Sequence, residues 1–333
     1  MREAAFVKRN QARWEQIEKD LQLQRNDPDR LAEIFIQLTD DLAFARTQYP
    51  ESRVTLYLNN LASKIHHTIY RNKREDRRRF IAFWKYEVPA ELWNARRELT
   101  YAFLIFTFSI AIGYLSTLHD DTFARLVLGD GYVNMTLENI KNGEPMAVYG
   151  TANEADMFAQ ITFNNIRVAF MAFAMGLVLS VGTAYMLFSN GVMVGAFVAF
   201  FQREGLLAHA LPVILLHGTI ELSSIVVAGA AGFVLGNGFL FPGTYPRLTA
   251  FRMGAKRGLK IIIGLVPMFV LAGFIESFIT RYEFMPIAVK LCIIGLSACL
   301  ILYYFVGYPY KLSLKWKNSH PLSFNRPGTS VKN

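Results

Sequence analysis

The sequence predicts an all-α chain in two parts: an N-terminal soluble helical bundle and a polytopic helical membrane body of about six transmembrane helices. Three observations carry that expectation. Of the 333 residues 53% are hydrophobic and only 18% charged, against roughly 25% charged in soluble domains. The apolar residues gather in blocks, the chain being polar and amphipathic through residue 98 and nearly continuously apolar from Leu99 to Tyr310. No segment alternates apolar and polar residues as a half-buried strand does.

Residues 1–98 read as a cytosolic helical domain. Phe6, Asn10, Trp14, Ile17 and Leu21 fall on one helical stripe. Leu31, Ile34, Phe35, Leu38 and Leu42 form a second, opened by Asp27-Pro28, a cap followed by a first-turn proline. Tyr49-Pro50 interrupts the pattern, and Leu58, Leu61, Ala62, Ile65 and Ile69 give a third. Arg77-Arg78-Arg79 then leads into Phe80, Ile81, Phe83, Trp84, Val88, Leu92 and Trp93. A basic patch beside aromatics describes an interfacial helix at headgroup level; a fourth bundle helix fits equally well, because amphipathicity does not separate the two. Met1 to Asn26 is charged throughout, so no cleavable leader is expected and the first span serves as an uncleaved anchor.

A crossing needs about 20 apolar residues. The membrane body, residues 99–310, offers spans near 99–118, 166–188, 191–204, 211–236, 261–279 and 286–306. The third is short for a crossing: a half-helix, a tilted helix and one continued through Gln202 into the interface all fit, with a hairpin turning near Gly205. The loop 119–160 carries Asp120, Asp121, Asp130, Glu138, Glu144, Glu154 and Asp156 against only Arg125 and Lys141, so it is expected outside. Arg96-Arg97, the cluster from Arg247 to Lys260 and the basic tail 311–333 are expected in the cytoplasm, the tail disordered. Both termini are then cytoplasmic, and the protein is a multi-pass protein of the cell membrane. The same distribution explains the net charge of +9: basic residues flank spans and form no stripe interleaved with stacking aromatics, which argues for a lipid bilayer and against nucleic acid. Cys292 and Cys299, the two cysteines, read as packing residues in the last span.

An ionisable side chain inside a span costs roughly 2.5 kcal/mol or more, so four of them mark a candidate site. His217 and Glu221, one helical turn apart in Leu215-Leu216-His217-Gly218-Thr219-Ile220-Glu221, lie in the outer half of the fourth span. Arg167, in Asn164-Asn165-Ile166-Arg167, sits near the outer end of the second, and Glu276 near the outer end of the fifth. Arg167, His217, Glu221, Glu276, Asn164 and Asn165 therefore form an intramembrane polar cluster in one leaflet. Two readings stay open. In one the cluster transfers protons, binds a ligand or senses the outside. In the other Arg167 and Glu276 snorkel to the surface, while His217 and Glu221 bond to Asn165, Thr219 or backbone carbonyls. No metal and no cofactor are expected, because catalytic zinc takes three protein ligands, no His-Glu-x-x-His motif exists, and His209 is two turns away from His217. No nucleophile elbow or Walker loop is present, and no catalytic residue is assigned. His66 and His67 read as surface residues. Gly191 with Gly195, and Gly232 with Gly236, form small-xxx-small pairs for close helix packing, within one chain or between two copies in a homodimer. Pro267 suggests a kink in the fifth span.

The run Phe163-Asn164-Asn165-Ile166-Arg167-Val168-Ala169-Phe170, the Asn190-Gly191 turn and His217-Gly218-x-x-Glu221-Leu222 resemble the stage II sporulation protein M family of integral membrane proteins. Phe6-Val7-Lys8-Arg9-Asn10 with Trp14, Asp41-Leu42-Ala43-x-Ala45-Arg46 with Tyr49-Pro50, Leu58-Asn59, and His66 with Ile69-Tyr70 resemble its longer members. The resemblance implies a chain that works in a membrane complex. The founding sporulation protein anchors peptidoglycan-degrading partners during forespore engulfment, and lacks the long N-terminal domain found here. The longer members, often encoded beside a MoxR-type ATPase and a von Willebrand-like domain protein, imply those as partners together with other membrane or envelope proteins. The family supplies no catalytic residues to carry over.

Three functions follow as expectations. The favoured one is a non-enzymatic scaffold or subunit of a membrane or envelope complex, because a separate soluble domain joins a membrane body that lacks a catalytic set. The second is a transporter or channel-like protein using the polar cluster. The third is an intramembrane hydrolase working through His217 and Glu221.

Overall fold

Helices divide the chain into two compact units, Met1–Phe80 and Ile81–Asn333. The computed structural model describes residues 2–22, 28–71, 77–143, 153–280 and 285–319, and among these there is no strand. Asp27, Glu144 and the tail beyond residue 319 lie outside the described residues, as does the side chain of Ile69.

The first unit packs α1 (Glu3–Gln22), α2 (Pro28–Gln48) and α3 (Arg53–Arg71). Their apolar stripes meet in one core: Phe6, Trp14 and Ile17 from α1, Leu31, Leu38 and Leu42 from α2, and Leu58, Leu61 and Ile65 from α3. Trp14 is 2% exposed, and its indole Nε1 donates to Asp41 Oδ2 at 2.8 Å. Asp41 also pairs with Arg13, so α1 and α2 are joined by a polar clasp at the edge of the core. Ser52 begins α3, its hydroxyl accepting from the Val54 N–H at 3.1 Å in the manner of a helix cap. His66 and His67 are exposed, as the sequence suggests.

In the second unit the helices are α4 (Arg77–Ala82), which crosses the boundary, α5 (Val88–Asn94), α6 (Arg96–His119), α7 (Asp121–Leu128), α8 (Asp130–Lys141), α9 (Glu154–Ala174), α10 (Val181–Arg203), α11 (Leu207–Leu240), α12 (Arg247–Phe274), α13 (Ile287–Leu302) and α14 (Tyr308–Ser319). Short π-helical turns join α4 to α5 and α13 to α14, and a third, Ile275–Thr280, continues α12. Among the described residues five segments are long and apolar enough to cross a bilayer: α6, α10, α11, α12 with its π-helical end, and α13 running on to Trp316. α9 is a sixth long helix, packed against α11 and α12.

These bounds redraw the expected spans. The chain turns inside 166–188, at Val178–Ser180, where Leu179 and Ser180 adopt positive φ values of 50° and 64°. Left-handed backbone at leucine and serine is uncommon and leaves no glycine signal to read. Asn190-Gly191, read from sequence as the turn, lies within α10. There the Asn190 amide donates back to the Met186 carbonyl at 2.8 Å, which satisfies it inside the helix. The expected short span 191–204 is thus the second half of a full-length helix. The loop 119–160 holds α7, α8 and the start of α9, and its helices cap one end of the body through Ala124 and Val133, packed on Phe200, Phe201, Ala210 and Val213. Asp120 begins α7 by accepting from the Thr122 N–H and hydroxyl, both at 2.8 Å. Those two hydrogen bonds, the backbone one foremost, hold its carboxyl below the ordinary aspartate range, and the Arg203 charge adds to them.

The aromatic segment after Arg79 packs within the second unit. Val88, Leu92 and Ala95 are buried in the core of the second unit, and Arg257 binds Glu91 at 2.9 Å while Lys260 binds Glu87 at 2.8 Å. It is therefore not a fourth bundle helix, and the compact unit begins at Ile81 rather than Leu99. The residues from Lys311 to Ser319, expected to be disordered, are helical in α14. Cys292 and Cys299 are exposed on α13 instead of packed, because that helix turns only a narrow face to its neighbours. Pro267 lies inside α12, which continues through it.

Glycines set the helix spacing. A Cβ at Gly191 or Gly195 of α10 would collide with the backbone of α6, at Phe106 and Ile110, and one at Gly232 or Gly236 of α11 would meet Thr183 and Ala172 or Ser180 and Gly176. Both expected small-residue pairs are thus taken up within the chain. Gly195→Leu is expected to destabilise the α6–α10 pair by at least about 1–3 kcal/mol, read as loss of the monodisperse peak in size-exclusion chromatography. Gly295→Ala, where the added carbon meets open space, is expected to leave that peak unchanged. A fragment of residues 1–80 is expected to fold alone with a cooperative thermal transition by circular dichroism, and Trp14→Ala to remove about 3–5 kcal/mol from it.

Candidate functional site

α11 is the most enclosed membrane helix. It buries 56% of its apolar window, against 22% for α6 and α13. Its small residues, Ala228-Gly229-Ala230-Ala231-Gly232, are fully surrounded, and on the same helix His217 is buried and Glu221 half-buried. Side chains at i and i+4 share one helix face, and here that face turns toward the π-helical end of α12. The wider π turn brings both Glu276 and Thr280 to His217. His217 Nε2 lies 3.8 Å from Glu276 Oε1, with 8% and 13% of the two side chains exposed. On the other side of the ring, Nδ1 is 3.3 Å from Thr280 Oγ1. The Thr280 hydroxyl donates to the Ile275 carbonyl at 3.2 Å, so its oxygen is left to accept from the imidazole.

From α9, Asn165 is 6% exposed and brings its amide to Glu221. Its nitrogen is nevertheless buried without a hydrogen bond of ordinary geometry. The nearest ligand atoms of His217, Glu221 and Glu276 all lie within 4.8 Å of one another. A cavity of about 620 Å³ opens beside an adjoining face of α11, between Phe103, Phe106, Gly218 and Leu222, and its apolar lining includes none of these polar residues.

The structure thus brings together four of the six residues of the expected cluster: His217, Glu221, Glu276 and Asn165. Arg167 and Asn164 are exposed on α9 and stand apart from it. Glu276 does not snorkel; it turns inward to His217. Thr219 donates to the Leu215 carbonyl at 2.7 Å and leaves the site alone. Thr280 was missed by sequence reasoning. Its only signal is a spacing of four from Glu276, which becomes meaningful once the π turn is known.

A histidine and two carboxylates enclosed between apolar helices define the class: an all-α, multi-pass membrane protein with a buried polar centre. Residues 102–281 match the family model of stage II sporulation protein M, and the chain belongs to that family. The match runs from α6 to the end of the π turn and so contains the whole cluster. Residues 4–71 match a second model, a domain of unknown function (DUF8413), which coincides with α1 to α3. No curated protein and no solved structure matches the chain.

Thr280→Val keeps the shape of the side chain while leaving the His217 Nδ1 without an acceptor, a loss of about 1–3 kcal/mol. It is expected to lower the thermal midpoint in detergent, with Thr280→Ser restoring it. Arg167→Gln, on an exposed face, is expected to stay within about 0.5 kcal/mol of the parent.

Proposed function

We propose that the protein is a non-enzymatic scaffold, a subunit of a membrane or envelope-associated complex in the cell membrane. The observation that carries this reading is the division into two compact units, each matched by its own family model. A compact N-terminal domain with its own core is a natural docking module in a chain that also carries a membrane anchor. The distribution of Lys and Arg supports cytoplasmic termini and an external, acidic 119–160 segment. Partners of the MoxR-type ATPase and von Willebrand-like classes follow from the resemblance to the longer family members, as does a role in assembly rather than chemistry. A second reading, ion or proton transport, is favoured by the buried His217–Glu276 contact alone.

Recovery of the tagged chain from cross-linked native membranes is expected to bring a reproducible set of partner proteins, identified by mass spectrometry. Deleting residues 1–80 is expected to lose the cytoplasmic members of that set while the membrane body stays monodisperse. A recovered set no different from that of an unrelated membrane protein would sink the scaffold reading, and cation or proton flux in proteoliposomes that stops in Glu276→Gln would favour transport.

A further inference from the structure

We propose that His217, Glu221 and Glu276 bind one divalent first-row transition-metal ion, Zn²⁺ fitting best, with a fourth position open to water or another oxygen ligand. The sequence offered only two ligands on α11, and a third was wanting. The π turn after α12 supplies it, and all three ligand atoms lie within 4.8 Å of one another.

The chemistry of the donors points the same way. Because the Thr280 hydroxyl donates to Ile275, its oxygen accepts from His217, and Nδ1 must carry the imidazole proton. That fixes Nε2 as the lone-pair nitrogen, the tautomer of a metal ligand oriented from behind by a hydrogen bond. Nε2 then faces the Glu276 carboxyl. One dication with two carboxylates and a neutral imidazole sums to zero charge, which suits a site between apolar helices. A single shared proton would leave one negative charge buried.

The spacing agrees. The Nε2–Glu276 Oε1 pair at 3.8 Å, and the 4.8 Å that bounds all three pairs, lie above the about 3.3 Å between two ligands of a tetrahedral Zn²⁺, a difference that side-chain rotation can close. Asn165 supplies an independent observation from a third helix. Its amide is more than nine-tenths buried and lies beside Glu221, and among the described residues its nitrogen has no hydrogen bond of ordinary geometry. An amide can be turned over, so Asn165 either orients the Glu221 carboxylate or offers its carbonyl oxygen to the ion. One imidazole among oxygens selects Zn²⁺, Mn²⁺, Fe²⁺ or Co²⁺ over the thiolate-loving Cu⁺ and the all-oxygen sites of Ca²⁺. The site stands independently of the scaffold reading, since a metal can tie α11 to α12 in a complex subunit as well as act in chemistry.

The test uses the full chain purified in detergent, stripped with a chelator, desalted and offered Zn²⁺ or Co²⁺ alone at neutral pH. One equivalent is expected to be retained, with ligand-field bands of tetrahedral Co²⁺ and a Zn²⁺ X-ray absorption shell of one imidazole and oxygens. Glu276→Gln and His217→Gln are expected to weaken retention by at least about 100-fold, and Thr280→Val, which touches no ligand atom of the ion, by about tenfold. Metal retention no higher than a buffer blank would falsify the proposal and assign the carboxylates a shared proton instead. A shell containing sulfur or lacking imidazole, or undiminished retention in monodisperse ligand variants, overturns it equally. Should the ligand variants not fold, the wild-type shell decides.

Discussion

Between lipid-bathed helices there is no water to expel, so association depends on how closely their backbones approach and on the polar groups they share. Here glycines provide that approach along two seams. Gly191 and Gly195 of α10 lie on the backbone of α6, and Gly113 of α6 lies in turn on Val192. Gly232 and Gly236 of α11 lie on the α9–α10 turn, where Gly176 and Ser180 receive them. α11 is thereby drawn into the centre of the body. Its orientation is then fixed, because small residues occupy the seam and larger ones cannot rotate into it. The position of His217 and Glu221 follows from that packing.

The polar centre is the complement of those seams. A histidine and two carboxylates among apolar helices are tolerable only when each is enclosed by protein and answered by a partner. Thr280 answers one nitrogen of His217, Asn165 reaches Glu221, and Glu276 stands across from the other nitrogen. Three helices, α9, α11 and α12, contribute to it, so it clasps together elements that are distant in the chain. Near the middle of α12, Arg257 and Lys260 bind Glu91 and Glu87 and fasten α5 and the turn before it to the membrane body. Polar contacts thus hold α12 at its middle and at its π-helical end, while glycine contacts set the spacing between its neighbours.

Much of the architecture was legible from the residues. The three N-terminal stripes meet as one core because helical periodicity reports which face is buried, independently of what it packs against. The membrane class followed from apolar blocks, because a bilayer demands length and composition that soluble helices do not need. His217 and Glu221 stood out because a charge in such a block is costly. The division of 166–204 was not legible: hydropathy is continuous there, and the turn is made by Leu179 and Ser180 while Asn190-Gly191 carries the usual turn signature. The segment before α6 was equally ambiguous, since an amphipathic stripe does not name the surface it will cover.

By itself the sequence determined the helical class, the separation of a polar N-terminal part from an apolar body, and which side chains would be expensive to bury. These are local properties, fixed by periodicity and transfer energy. Only the tertiary structure decided that Glu276 and Thr280 join His217 while Arg167 turns away, because that depends on a π turn and on helix rotation. The helix rotation is set by glycine contacts between segments separated by many residues, and no local pattern in the chain encodes it.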